Sequence, residues 1–559
     1  MKQRYLFLIL IFVGGFSYYS LKQNVQPYAS VIYINGKIYT CDEHNSIAEA
    51  IAIQGTRIIG VGKTSDILSH FKTSDTLDLM GKTVMPGFID AHGHMLGLGD
   101  ALQRLNLVGT TSLSQVIEMV KEKVQQKNAW VFGRGWDQND WEVKEFPNHE
   151  MLDEIAGAKF IILRRIDGHA TWVNQNVMNL AKITRDTPDP DGGKILRDAN
   201  GNPTGILLDN AENLIQAVVP ERTQGEIEHS LFLAANECAK YGLTEVHDMG
   251  VDLKILNAYE RLISADSLPI RIYAAIDGVG ETWDFFLQNG SVVDYKDKIS
   301  IRAVKLYMDG ALGSRGAALI APYSDDPMNR GLTYMSEDSL KKICENAIAK
   351  GFQVCTHAIG DRANHIVLSA YEKVLKNNSS DVRFRVEHCQ ILDTNDISRF
   401  HQLGVIPSMQ PTHATSDRWW AEQRLGSERI KGAYAWKSLL NAHSVIPTGS
   451  DFPVESPNPL WGFFAAVTRA GNDNYPENGW YGNQKMSREE AAKAFTIWGA
   501  YASFQENWKG TIEKGKVADL TIFSKDIMQI PQKEILDADV EFTIVGGKVV
   551  YNRNKVQLN

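Results

Sequence analysis

The sequence predicts an α/β fold: a (β/α)8 TIM-like barrel inserted into a small β-sandwich that is built from both chain ends, with a β-containing cap. In the middle of the chain, short β-rich runs alternate with helical patterns, which is typical of a parallel sheet. Strand-rich segments stand at both ends. Polar residues that end strands recur at multiples of about 30 residues, the length of one βα unit in a barrel of about 250 residues.

The two ends of the chain carry the same kind of pattern. Near the N-terminus, "VIYINGKIY" and "AIAIQGTRIIGVG" contain short strands separated by Asn-Gly and other glycine turns, which is the hairpin pattern. Near the C-terminus, "GKVADLTIF" and "FTIVGGKVVYN" are similar. We expect residues 27–84 and 506–559 to form one composite β-sandwich domain.

The long middle segment, residues 85–505, is predicted to be the barrel. A stretch such as "SEDSLKKICENAIAKG" has helical periodicity and a stop signal at Gly351. The turn-rich "DTPDPDGGKILRDANGNPTG" interrupts the alternation. We therefore expect a cap insertion at about residues 130–220.

The composition of the chain indicates which kind of molecule it binds. The chain has 559 residues, of which 43% are hydrophobic and 22% charged, so it is long enough for a large core. The net charge of −9 and the lack of a basic block argue against nucleic acid and favour a small-molecule partner. The 5 cysteines have neither disulfide-framework nor zinc-finger spacing. A homodimer is left open.

The first residues resemble an export signal. Lys2 and Arg4 precede an apolar run that is shorter than the roughly 20 residues of a spanning helix. We predict that residues 1–26 are a signal peptide or an uncleaved N-terminal anchor. The protein is therefore expected to be exported, periplasmic or extracellular, or to be held at a membrane by this segment alone.

Metal-binding residue types stand at predicted strand ends. His92 and His94 lie two apart in "FIDAHGHM", so that in a strand both point to one face. Lys305 in "VKLYMDG" comes after a gap that we expect to hold two strands and the cap. His357 in "THAIGD", His388 in "VEHCQ" and Asp451 in "GSDFPVE" follow it at one- or two-unit spacing. The carboxyl ends of barrel strands meet at one face, where they form active sites. Taken singly, each histidine could be a core residue, and Asp451 could cap the next helix.

These motifs, in this order, closely resemble the amidohydrolase superfamily, and within it the YtcJ-like branch (amidohydrolase family 3) that contains N-substituted formamide deformylase. The resemblance implies two divalent metal ions, most simply Zn²⁺. His92, His94 and Asp451 would hold one ion, and His357 and His388 the other. Lys305, carboxylated by carbon dioxide, would bridge them. The alternative is an ordinary salt bridge between Lys305 and Asp309, with a single metal ion in the site.

The resemblance also implies a reaction: a metal-dependent hydrolase that cleaves a carbon–nitrogen bond other than a peptide bond, by metal-activated water. The substrate would be an N-substituted amide, N-formyl or N-acyl. Asp451 would carry a proton from the water to the leaving nitrogen, and His357 or His388 would contact the intermediate. Two alternatives stay open, a mononuclear hydrolytic deaminase and a non-catalytic binding protein. Lys305 argues against the first and the complete ligand set against the second.

Substrate-binding residues are harder to select. Aromatic side chains near a metal suit a hydrophobic N-substituent, although they also serve to pack a cap on a barrel. Arg315 could bind a substrate carboxylate or stabilise its own loop. The candidates are Trp136, Asp137, Asp140 and His169 in the predicted cap, and Ser314, Arg315, Trp419 and Trp420 in loops after predicted strands.

Overall fold

A computed structural model describes residues 26–554 except 127, 377 and 379. The predicted signal peptide or anchor, residues 1–26, lies outside the described residues apart from Gln26. In the described part of the chain, no helix is both long and apolar enough to span a membrane. The described residues divide into two compact units, one of residues 26–95 with 235–554 and one of Leu96–Ala234.

Strands at the N-terminal end belong to two sheets of the larger unit. One sheet has the order β5-β4-β1-β6, and β2, β3 and β7 belong to the other. The predicted Asn35-Gly36 hairpin is therefore wrong, because β1 pairs with β4 while β2 pairs with β3 and β7. The elements are β1 (Val31–Ile34), β2 (Lys37–Tyr39), β3 (Ile47–Ala48), β4 (Ala50–Gln54), β5 (Arg57–Gly62), α1 (Thr64–His70), β6 (Thr76–Asp78), β7 (Thr83–Pro86) and β8 (Phe88–Gly93).

The smaller unit is built on a mixed sheet of its own, with the order β13-β14-β12-β11-β10-β9. The predicted cap range of about 130–220 lies inside this unit. Its strands are β9 (Leu105–Asn106), β10 (Trp130–Trp136), β11 (Phe160–Arg165), β12 (Ala170–Val173), β13 (Gly193–Arg197) and β14 (Pro203–Asp209). The helices of this part of the chain are α2 (Met95–Gln103), α3 (Leu113–Val124), α4 (Glu150–Ala156), α5 (Gln175–Leu180), α6 (Asn213–Gln216) and α7 (Gln224–Lys240).

A nearly closed parallel sheet forms the centre of the larger unit and confirms the barrel prediction. Its strand order is β21-β20-β19-β18-β16-β15-β8, with β17 attached antiparallel to β18. Thr448 forms a parallel bridge with Met409 and accepts a hydrogen bond from the Ala91 amide at 3.0 Å, so its segment takes the eighth position. The strands are β15 (Leu243–Val251), β16 (Arg271–Asp277), β17 (Val292–Tyr295), β18 (Ile299–Tyr307), β19 (Gln353–Ala358), β20 (Arg385–His388) and β21 (Ile406–Ser408).

Helices alternate with these strands, as the pattern predicts. Ser336 caps α10 by accepting from the Ser339 amide, and Gly351 follows the helix with a φ of 75°. The helices are α8 (Leu253–Ser264), α9 (Gly280–Asn289), α10 (Glu337–Ala349), α11 (Asp361–Leu375), α12 (Ile397–Leu403), α13 (Pro411–Asp417), α14 (Ala421–Arg429), α15 (Trp436–Asn441), α16 (Pro459–Thr468), α17 (Arg488–Ala494) and α18 (Ile497–Ala502).

The C-terminal end of the chain completes the second N-terminal sheet. The last strands are β22 (Leu520–Phe523), β23 (Val540–Val545) and β24 (Lys548–Asn552), and β22 pairs antiparallel with β7. Buried side chains from both chain ends, among them Ile38, Ile51, Ile522 and Ile544, form one hydrophobic core. Strands from both chain ends thus pair in one sheet and share one hydrophobic core, and the composite β-sandwich domain of residues 27–84 and 506–559 stays a prediction.

Candidate metal centre

The residues predicted as metal ligands lie at the carboxyl ends of barrel strands. His92 is near the end of β8, Lys305 and His357 are close to the ends of β18 and β19, and His388 ends β20. Asp451 follows the segment in the eighth position, and its amide donates to the His92 carbonyl at 2.7 Å. The barrel thus brings together side chains that are up to 359 positions apart in the sequence, as in the range 92–451.

His92, His94 and Asp451 form one compact group. Asp451 Oδ1 lies 3.1 Å from His94 Nε2 and 3.5 Å from His92 Nε2. The φ of Asp451 is 60°, in the left-handed region, so the chain turns sharply at this residue. Asp451 is not a helix cap, because Asn458 caps the next helix, α16.

A second group shares the same aspartate. Ligand atoms of His388, His413 and Asp451 lie within 4.8 Å of one another. His413 is on α13 and was not selected from the sequence, although "SMQPTHATSD" follows the seventh barrel strand, where a polar residue is expected to face the site. His357 is adjacent, with its ring centroid 4.5 Å from that of His388.

Oxygen acceptors orient three of these imidazoles. His92 Nδ1 lies 2.6 Å from Glu387 Oε2, His94 Nδ1 lies 2.8 Å from the Met249 carbonyl, and His388 Nδ1 lies 2.8 Å from Gln410 Oε1. Each Nδ1–H therefore donates to an oxygen and leaves the Nε2 lone pair available, the form in which imidazole binds a metal.

Glu387 is in turn held by a buried arginine. Arg385 donates to both Glu387 oxygens at 2.7 and 2.9 Å, and both side chains are fully buried. Burial raises the pKa of Glu387, but Arg385 and the hydrogen bond with His92 outweigh it, so that the net pKa is well below the usual value. Glu387 is therefore an anion in the barrel interior, a role that the sequence pattern does not predict.

Lys305 is buried beside His92 and has no carboxylate partner at ion-pair distance in the described part of the chain. Its Nζ lies 3.1 Å from His92 Nε2, and burial lowers its pKa. The alternative salt bridge with Asp309 is not formed. Asp309 instead accepts from the amides of Ala318, Ile359 and Gly360 at 2.8 to 2.9 Å.

The neighbouring histidines are held in their neutral forms. Burial lowers the pKa of His92 to about 4 and that of His357 to about 3, and the nearby Lys305 adds to both effects. Burial raises the pKa of Asp451, but the hydrogen bond with His94 and the adjacent histidines outweigh this effect. The net pKa is well below the usual value, so the carboxylate is ionised. Neutral imidazoles and an ionised carboxylate are the protonation states that metal binding requires.

The loop residues predicted to bind substrate have local partners. Ser314 is exposed, and Arg315 Nη2 pairs with Asp325 Oδ2 at 2.9 Å, which stabilises its own loop. Trp419 is exposed and stacks on Tyr475 with a centroid separation of 5.4 Å. Trp420 packs against Gly313, where a Cβ would lie 3.2 Å from the indole ring.

The four candidates in the smaller unit are of two kinds. Trp136 is fully buried in a hydrophobic core, and its Nε1 donates to the Leu163 carbonyl at 2.8 Å, so it packs the interior of that unit. The other three are polar and reach the surface. Asp137 pairs with Arg165 at 2.7 Å, His169 pairs with Asp209 at 2.8 Å, and Asp140 is exposed.

A divalent cation fits the donor set at the barrel mouth. Imidazole nitrogens and carboxylate oxygens are its usual ligands. His357 Nε2 is buried without a hydrogen-bond partner in the described residues, which is costly unless a ligand satisfies it. A (β/α)8 barrel that gathers such donors at the carboxyl ends of its strands has the architecture of a metal-dependent hydrolase.

The comparison with protein families agrees with this class. The model of the amidohydrolase family matches residues 75–551, so the chain belongs to that family and is an amidohydrolase.

Curated relatives extend over nearly the whole chain. The YtcJ protein of Bacillus subtilis is 33% identical over 94% of this chain and 99% of its own length. The N-substituted formamide deformylase of Arthrobacter pascens is 28% identical over 94% of this chain and 98% of its own. Among solved structures, a metal-dependent hydrolase from Pyrococcus horikoshii is 29% identical, covers 90% of this chain and 99% of that one, and has a TM-score of 0.76.

Proposed function

We propose that this amidohydrolase hydrolyses N-substituted amides, N-formyl or N-acyl, with two divalent metal ions per chain, most simply Zn²⁺. The observation that carries the proposal is the group of His92, His94 and Asp451, whose ligand atoms lie within 4.8 Å of one another beside the buried Lys305. The similarity to an N-substituted formamide deformylase supports this class of substrate.

The ligand set divides between the two ions. His92, His94 and Asp451 would hold one, and His357 and His388 the other. Lys305, as a carbamate, would contribute an oxygen to each. Burial favours the free amine of Lys305, which is the form that reacts with carbon dioxide, and Nζ already lies beside the His92 Nε2 lone pair. A protonated lysine at this position would repel a cation.

The chain's own residues supply the proton transfers. When bound, divalent ions polarise a carbonyl group and lower the pKa of water. The ionised Asp451 then takes a proton as the water oxygen forms its bond to the carbonyl carbon. The same carboxyl group gives the proton to the nitrogen as the carbon–nitrogen bond breaks. One amide and one water thus yield one carboxylic acid and one amine.

The expected place of this reaction is outside the cytoplasm. The pattern of Lys2, Arg4 and the following apolar run supports export or an N-terminal anchor. Fractionation of cells that produce the full chain, with an antibody to its C-terminal part, would test this. Recovery in the cytoplasmic fraction at full length would contradict it.

Metal analysis and a substrate screen test the function together. The purified chain, without chelator treatment, is measured for zinc per chain and assayed with N-alkyl and N-aryl formamides and acetamides, with amine release as the readout. We expect two ions and amine release that is lost in Asp451→Asn. Release of ammonia from aminated heterocycles with one ion per chain would instead support a deaminase. No metal and no turnover after zinc addition would favour a binding protein.

A further inference from the structure

His413 differs from His92, His94 and His388 in the hydrogen-bond partner of its Nδ1 atom. Its Nδ1 lies 3.1 Å from Gln390 Nε2, a side-chain amide nitrogen that only donates. Nδ1 must therefore accept, and the single proton of a neutral imidazole lies on Nε2. His92, His94 and His388 have the opposite tautomer, because their Nδ1 atoms face oxygens.

The tautomer decides between two roles. A histidine binds a metal through a lone pair, and Nε2 of His92, His94 and His388 can supply one. Nε2–H of His413 has no lone pair to give, although its position beside His388 and Asp451 makes it a candidate ligand by distance alone. What His413 presents is a hydrogen-bond donor.

This donor is buried and unused. In the described residues, His413 Nε2 has no hydrogen-bond partner, and the residue is only 7% exposed. Asp451 Oδ2 lies 3.6 Å from this nitrogen, beyond hydrogen-bond distance. A buried N–H without a partner is costly unless something that binds there accepts it.

The position of this donor points to the group that accepts. Oδ1 of Asp451 faces His92 and His94, while Oδ2 faces His413. If Oδ1 contacts a metal, Oδ2 is the oxygen that takes and returns the proton. A neutral donor next to that oxygen lies close to the reacting carbonyl, where negative charge develops as the water oxygen bonds to carbon.

We propose that His413 is a catalytic residue and not a metal ligand: its Nε2–H donates a hydrogen bond to the carbonyl oxygen of the bound amide and holds the oxyanion that forms from it. The inference rests on the proposed amide hydrolysis. Gln390 is the residue that keeps the proton on Nε2 by donating to Nδ1.

Two substitutions of His413 distinguish a hydrogen-bond donor at the Nε2 position from a ring that only fills space. The amide nitrogen of glutamine reaches about as far as Nε2, while that of asparagine ends near Nδ1. For a formamide that the wild type cleaves, we expect kcat to fall about 100-fold in His413→Asn with KM within a few-fold, because the contact strengthens only as charge develops. His413→Gln should retain about ten times the kcat of His413→Asn. Equal losses in both, or an unchanged kcat, would overturn the proposal.

Zinc content per chain provides a readout that does not depend on turnover. We expect His413→Asn to keep the wild-type content, as should the control His401→Asn, which changes an exposed histidine on helix α12. His388→Asn should lose zinc. A loss in His413→Asn equal to that in His388→Asn would make His413 a ligand and refute the proposal.

The tautomer itself is measurable by nitrogen-15 NMR of the zinc-loaded, histidine-labelled chain, with His413→Asn identifying the resonance. A proton on Nε2 is expected, and a proton on Nδ1 alone would overturn the assignment. If the wild type cleaves no amide, the proposed function fails. Zinc content and tautomer then still decide whether His413 is a donor or a ligand.

Discussion

Two histidine–carboxylate pairs of equal length lie in the two units of the chain. In the larger unit, His92 Nδ1 is 2.6 Å from Glu387 Oε2, and in the smaller unit His149 Nδ1 is 2.6 Å from Asp153 Oδ2. The first pair is fully buried, while the side chains of the second are 20% and 31% exposed. The pair alone therefore does not define a functional site.

The two pairs differ in what surrounds the Nε2 atom of the histidine. His92 Nε2 faces Lys305 Nζ at 3.1 Å and Asp451 Oδ1 at 3.5 Å, in a pocket of converging ligands. His149 immediately precedes α4, and its partner lies one helical turn further along the same chain segment. A histidine whose Nδ1 is held by a hydrogen bond is thus a metal-ligand candidate only when its Nε2 also lies close to other buried side chains that can bind a metal.

The largest effect should come from the residue that both ligand groups share. Asp451→Asn removes the charge and the proton-accepting oxygen, so we expect kcat to fall about 10⁴-fold, the upper end for loss of a general acid–base group. Amine release from a formamide measures this, with circular dichroism to show that the fold is kept. Activity within tenfold of the wild type would refute the proton-transfer role.

Lys305→Ala should come next. Without the carbamate, one ion should be lost and turnover should fall about 10³-fold, because a single ion retains only part of the electrostatic stabilisation. Small carboxylic acids such as acetate fit the space of the missing carbamate and should restore part of the activity. Zinc analysis with and without acetate tests this, and an unchanged content of two ions would remove Lys305 from the ligand set.

Glu387→Gln breaks the buried pair itself. The neutral amide no longer balances Arg385 and binds His92 Nδ1–H more weakly, so we expect metal affinity to fall about 10- to 100-fold. The free energy of unfolding should fall by about 3 kcal/mol, because a buried arginine is left without its counter-charge. Zinc competition with a chelator and urea unfolding measure the two effects. Unchanged values of both would mean that Glu387 does not orient His92.

The strand-end ligands could be predicted because each stands in a local motif. His92, Lys305, His357 and His388 each stand near the end of a predicted strand, and a barrel brings such positions to one face whatever the loop lengths. Glu387 was missed although it lies in "RVEH". Its alternation with Arg385 places both on one face, but the barrel interior that they reach is defined only by the neighbouring strands.

Long-range partners account for the remaining errors. Asn35-Gly36 has the local pattern of a hairpin between β1 and β2. The two strands instead belong to different sheets, and β1 pairs with β4. His413 lies on α13 with no second histidine beside it in the sequence. Its role depends on Gln390, which is in contact only after β20 and β21 pair. Neither feature is visible in a window of neighbouring residues.

Asp153→Asn breaks the comparison pair in the smaller unit and should have the smallest effect. Asp153 Oδ1 accepts from the Gln175 amide at 2.8 Å, and an asparagine oxygen can replace it there. A partly exposed pair contributes about 1 kcal/mol or less, so we expect urea unfolding to change by no more than this and the zinc content to stay constant. A fall in zinc affinity equal to that in Glu387→Gln would show that burial and the Nε2 environment do not separate the two pairs.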